Sequence, residues 1–121
     1  MEYTSRVHKQ STTFPGVEFT VARLSLSRRI DLAQRVREIG FKHEFLAASK
    51  SVMDQIDAGL LQRRIDQTYV EWGLLAIRGM TIDGADVTAG LLIEAGPEEL
   101  LKEILAAIRV EIQLSEEEIK N

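Results

Sequence analysis

Tyr69-Val70-Glu71-Trp72-Gly73-Leu74-Leu75-Ala76-Ile77-Arg78-Gly79 is the stretch on which the fold turns. At helical spacing it carries the stripe Leu61, Ile65, Thr68 and Trp72 on into Leu75 and Ala76. Tyr69, Val70, Trp72, Leu74, Leu75 and Ile77 then cover most of the circumference. A helix that is apolar nearly all round is either central to a core or part of an interface. Tyr69, Trp72, Leu74, Leu75 and Ile77 are therefore the candidate protein-interaction surface, with plain core packing as the alternative. Arg78 would put a cation in the last turn and Gly79 would be the C-cap. The helix is expected to begin near Ser51, or after Gly59 if that glycine breaks it.

Toward the N-terminus, Ser25 or Ser27 can cap a preceding helix that runs to about Ser49. Its apolar stripe is Ile30, Ala33, Val36, Ile39, Gly40, His43, Leu46 and Ala47, with Phe41 and Phe45 as a second patch. Arg28, Asp31, Arg35, Glu38 and Lys42 alternate in sign on another face, a spacing that suits i,i+4 pairs. Further upstream, Val17, Phe19 and Val21 alternate with Glu18 and Thr20, the period of a half-buried strand. Pro15-Gly16 is a turn signal, Pro fixing φ and Gly accepting a positive φ. Val7 to Phe14 supplies the partner strand of an N-terminal β-hairpin. Such a hairpin is marginal alone, so its apolar face must lie on helices or on another copy.

Toward the C-terminus, Met80-Thr81-Ile82 predicts a short strand and Asp83-Gly84 a turn. Thr88 caps a brief helix over residues 89–94. Gly96-Pro97-Glu98-Glu99 opens another, with Pro at the first position and acids at the positive helix end. Leu101, Ile104, Leu105, Ile108 and Ile112 form its buried stripe. Ser115-Glu116-Glu117-Glu118 has the spacing of a capping box, predicting a fresh helix start near the end of the chain. The fold class is thus α+β, mainly α: an N-terminal β-hairpin (1–24), a helical pair (25–79), and a turn plus C-terminal helices (80–121). These form a bundle of about four helices within one domain.

The chemistry available is narrow. There is no cysteine, hence no disulfide and no thiolate. His8 and His43 are the only histidines, and neither has a second ligand at metal-site spacing. Asp83-Gly84-Ala85-Asp86 lacks the remaining oxygen ligands of a calcium loop. No phosphate loop and no nucleophile elbow occurs. The carboxylate groups sit where helix starts want negative charge. No enzyme activity and no cofactor is expected. Asp31, Glu38 and Glu44 interrupt the basic front of the first helix, which argues against nucleic acid. No apolar run approaches the ~20 residues of a membrane span, so a cytoplasmic protein is expected. Residues 1–79 hold 12 Lys/Arg and 9 Asp/Glu, while residues 80–121 hold 3 and 10. That asymmetry permits head-to-tail self-association, the alternative being two solvated surfaces that differ.

Three stretches carry a family resemblance. Thr13-Phe14-Pro15-Gly16-Val17-Glu18-Phe19-Thr20-Val21-Ala22-Arg23 precedes Ser27-Arg28-Arg29-Ile30-Asp31-Leu32. Glu71-Trp72-Gly73-Leu74 leads into Ile82-Asp83-Gly84. Glu94-Ala95-Gly96-Pro97-Glu98-Glu99-Leu100 is followed by Leu114-Ser115-Glu116-Glu117-Glu118 and Lys120-Asn121. In these, about a third of its length, the chain resembles small tailed-bacteriophage and prophage proteins of the tail-assembly-chaperone type. The resemblance implies a non-enzymatic, mostly helical, self-associating factor in the host bacterial cytoplasm. It would coat the long tape-measure protein before tail-tube subunits polymerise, and some such proteins have a second, longer frameshifted product. The alternatives are a structural tail protein retained in the particle, or a small regulatory or interaction domain unrelated to phage.

Overall fold

The computed structural model describes residues 1–120, with side chains through Leu114. The chain is α+β and mainly α, with an N-terminal β-hairpin and four helices. Strands β1 (Arg6–Gln10) and β2 (Glu18–Ala22) pair antiparallel, with Val7 opposite Val21 and Lys9 opposite Phe19. Between them, the Val17 N–H donates to the Phe14 carbonyl across Pro15-Gly16 at 3.1 Å, and Gly16 takes the positive φ of 87° that the turn requires.

Helices α1 (Leu26–Ala47) and α2 (Val52–Gly73) follow as an antiparallel pair joined by residues 48–51. Ser25 caps α1 and Ser51 caps α2, accepting from the Arg28 N–H at 3.2 Å and the Asp54 N–H at 3.5 Å. Gly59 does not break α2. Of the expected α1 stripe, Val36, Ile39, Gly40, His43 and Leu46 are partly covered, but Ile30, Ala33 and Ala47 are exposed. A covered series runs along α1 at Leu32, Val36, Ile39, His43 and Leu46 and along α2 at Asp54, Ala58, Leu61, Ile65, Thr68 and Trp72, joined near the body by Arg28, Arg29 and Asp31 of α1 and by Asp66, Tyr69, Val70 and Gly73 of α2. Away from the body, the alternating steps of three and four form the narrow seam of a two-stranded coil, and from Ile65 onward the covered face of α2 widens into the core.

The fold departs from expectation most at the stretch that opened the sequence. Helix α2 stops at Gly73, and the backbone turns extended at Leu74 with φ −84° and ψ 113°. Leu74–Arg78 is strand β3, antiparallel to β2, so the sheet order is β1-β2-β3. Phe19 lies opposite Ile77 and Val21 opposite Leu74, with the register shifting between Thr20 and Val21, so that Leu75 has no opposite partner. A short apolar run reads equally well as either element. The decision lies in β2, whose second edge needs backbone partners once Phe19, Thr20, Val21 and Ala22 are all buried. The strand is therefore central and not half-buried. Gly79 ends β3 and is no helix cap: its φ is 87°, and a Cβ there would run into the Gly16 carbonyl.

Strands β4 (Thr81–Ile82) and β5 (Ala85–Asp86) form a small hairpin, its turn made by Asp83 and Gly84, both at positive φ. Helix α3 (Ala89–Ala95) is capped by Thr88, whose hydroxyl accepts from the Leu91 N–H at 3.2 Å. Helix α4 (Glu98–Lys120) carries Glu98 and Glu99 in its first turn. It continues through Ser115, which is therefore not a helix start. The side chains of that acidic group, and Asn121, lie outside the described residues.

One core joins these parts. The inner face of the sheet (Val17, Phe19, Val21, Leu74) packs on Val70 and Trp72 of α2, Leu92 of α3, and Leu100, Ile104, Ala107 and Ile108 of α4. Leu100 and Ala107 extend the α4 stripe beyond the positions its spacing had marked. From α1, Leu32 is buried in this core and Val36 packs against it. The molecule thus has a packed body, and an arm made of α1 with the first half of α2.

Candidate protein-interaction surfaces

The five residues expected to form one interaction surface are separated by the strand. Trp72 and Leu74 are buried, at 9% and 8% exposure, in the core of the body. Tyr69 and Ile77 are half-buried against that core, and only Leu75, at 38%, faces outward. Their apolar character is used for packing β3 and the end of α2.

The large apolar side chains that stay uncovered lie elsewhere. Phe41 and Phe45 on α1, and Val52, Met53, Ile56 and Leu60 on α2, are all exposed, Phe45 at 77%. All six fall within twenty residues around the loop at the far end of the arm. The seam beneath them includes His43, Asp54, Ala58 and Thr68, small or polar residues that bury little surface. Sequence periodicity had marked Phe41 and Phe45 as a patch, whereas Val52, Met53, Ile56 and Leu60 carried no such mark. Their signal is a second apolar series at steps of three and four, Met53, Ile56 and Leu60, offset from the seam.

A second surface lies on the body. Val70 of α2, Ile93 of α3, and Leu101 and Leu105 of α4 floor a shallow groove rimmed by Arg63, Gln67, Glu98 and Lys102. Asp66 closes one end by accepting from the Arg109 guanidinium at 2.6 Å, which also ties α2 to α4. An apolar floor with a rim of both signs suits the apolar face of an amphipathic helix.

Polar clusters elsewhere hold the fold together. The Glu103 carboxylate on α4 accepts from the Ser11 hydroxyl at 2.5 Å, the Thr12 hydroxyl at 2.7 Å and the Thr12 N–H at 2.8 Å. Burial alone would raise this carboxyl's pKa, but the hydrogen bonds from Ser11, Thr12 and Thr13 outweigh it and hold it below the usual range. The carboxylate pins the β1–β2 connection to α4. His8 shares a 2.8 Å hydrogen bond with the Thr20 hydroxyl across the first two strands. His43 lies half-covered in the arm seam. At the base of the arm, the Arg28 guanidinium donates to the Ser5 and Arg23 carbonyls at 2.9 and 3.1 Å. Arg23 in turn approaches Glu111 at 3.8 Å and stacks over the Tyr3 ring at 5.8 Å.

Among the described residues, no group of three or more His, Asp or Glu is placed to hold a metal ion, and no helix is long and apolar enough to cross a membrane. No family model, no curated protein and no solved structure matches this chain.

Proposed function

We propose that this chain is a non-enzymatic assembly factor of the phage tail-assembly-chaperone type, acting in the host cytoplasm, self-associating and binding the tape-measure protein. The observation that supports this reading is apolar helical surface left open outside a closed core: the groove floored by Val70, Ile93, Leu101 and Leu105, and the arm. A tape measure is a long helical polypeptide with apolar stripes, and helix-in-groove contacts cover such stripes. The body groove is the proposed client site. Its rim, with Arg63 and Lys102 against Glu98, offers both signs to the polar flanks of a helix.

The test is co-expression with a tape-measure protein from the same genome. The expected result is a several-fold rise in soluble tape measure, lost when Leu101 and Leu105 are replaced by Glu in a chain whose circular dichroism is unchanged. Tape measure that stays insoluble with the native chain would overturn the proposal. Mass spectrometry of purified particles separates it from a structural tail protein, since an assembly factor is absent from the finished particle.

A further inference from the structure

Two glycines stand in helix interiors where nothing in this chain calls for them. A Cβ at Gly40 of α1 or at Gly59 of α2 would meet no atom within 4 Å. Glycine in an exposed helix interior is costly relative to alanine, because its backbone loses more freedom on folding. The body shows the contrast. At Gly73 a Cβ would lie 2.9 Å from the buried Ile108 side chain, so close packing against α4 explains that glycine.

The arm glycines are matched in position. Gly40 lies eight residues before Ala48 and Gly59 eight residues after Ser51, the two ends of the loop. Each also follows directly on a seam residue, Ile39 and Ala58. In an antiparallel helix pair, the positions that follow the seam fall on the same side. Gly40 and Gly59 therefore lie level with each other and form a low saddle across one side of the arm. On α1 this side continues as an open groove lined by Ile30, Ala33, Val36 and Phe41.

The charges on that groove are self-complementary. Arg37 and Glu44 both line it, seven residues apart, with Gly40 and Phe41 midway between them. If a second α1 crosses antiparallel about that midpoint, Arg37 of each copy meets Glu44 of the other, once on each side of the axis. The whole segment 37–64 holds five Lys/Arg and four Asp/Glu, so it does not repel its own copy. Phe41, 66% exposed, and Ile30, 50% exposed, both line this groove and supply the apolar contact on that side.

We infer that two copies of this chain pair arm to arm, α1 against α1 antiparallel about Gly40 and Phe41, closing a four-helix bundle in which each Phe41 seats in the glycine saddle of the other copy. This rests on the self-association in the proposed function and adds its surface, symmetry and ion pairs. It leaves the body groove open for the client.

Sedimentation of the full chain across concentration and salt tests the pairing without any client. The expected result is a dimer, twice the 13.6 kDa chain mass, that persists in 1 M salt because apolar contact carries it. Arg37→Glu or Glu44→Arg alone is expected to weaken it about tenfold or more through facing like charges, and the combined R37E/E44R chain to recover it. Gly40→Leu is expected to give a monomer with undiminished helix content. A monomer at ~100 µM overturns the inference, as does a dimer lost in salt, one indifferent to the single charge reversals, or a double reversal that fails to recover. Co-expression with the tape measure is scored separately, so a monomeric chain that still solubilises its client would refute the pairing and leave the function standing.

Discussion

Ile104 in α4 and Phe45 in α1 are both large apolar residues inside long helices, yet Ile104 is 0% exposed and Phe45 is 77% exposed. The difference is what surrounds each helix. Helix α4 has the sheet on one side and α2 on another, so its apolar stripe is covered within the chain. Helix α1 packs mainly on α2 along a narrow seam, so the large apolar side chains off that seam, Phe41 and Phe45 among them, face outward. The body is stabilised by its own burial. The arm is a helical hairpin whose apolar surface exceeds what one partner helix can cover.

That contrast makes its largest prediction in paired truncations. Ile104→Ala is expected to destabilise the chain by about 2–5 kcal/mol through lost burial and a cavity. Ile56→Ala in the arm is expected to change monomer stability by about 0.5 kcal/mol or less. Urea unfolding of dilute protein measures both, and equal costs would erase the distinction between body and arm.

The next prediction concerns the clamp that locks the body. Glu103→Ala removes three hydrogen bonds to a carboxylate and is expected to cost about 2 kcal/mol. The same group gives a pH dependence. Its folded pKa lies below its ordinary value of 4.5, so its stabilisation is fully present above that value and is lost as pH falls through the folded pKa. Unfolding midpoints measured from pH 6 downward should fall below about pH 4.5 less steeply in Glu103→Gln than in the native chain. Matching acid limbs would show that the Ser11 and Thr12 contacts do not perturb the carboxyl.

Glycines sharpen the comparison by sign. Gly73→Ala is expected to cost about 1–3 kcal/mol by crowding Ile108. Gly59→Ala is expected to stabilise the monomer by about 1 kcal/mol, since its Cβ meets open space. The smallest effect is Asp66→Asn, which weakens a partly exposed pair with Arg109 and should cost about 0.5 kcal/mol.

The sequence made these regions legible to different degrees. Local chemistry was plain wherever a few residues suffice: the Pro15-Gly16 and Asp83-Gly84 turns, the Ser25, Ser51 and Thr88 caps, and the Pro97-Glu98-Glu99 helix start all appear where their residue types predict. The third strand was not legible, because Leu74-Leu75-Ala76-Ile77 is too short for periodicity to separate strand from helix. Only the pairing demand of β2, about fifty-five residues earlier, decides it. That demand is tertiary, and a single stretch cannot express it. The same fact relocated the candidate surface: once Leu74–Arg78 is a strand, Trp72 and Leu74 are used for packing, and the open apolar surface is found on the arm and the body groove. Along α1 the pattern was ambiguous for a related reason. Too many apolar positions were available, and a narrow seam selects only some of them.

Hydrogen exchange followed at several protein concentrations tests most directly that the arm is completed by a second molecule and the body by itself. Protection of backbone amides in residues 37–64 should rise with concentration, while that of β2 and of residues 100–108 in α4 should stay constant. Arm protection that does not change with concentration, or that rises together with the body's, would contradict this division of the molecule.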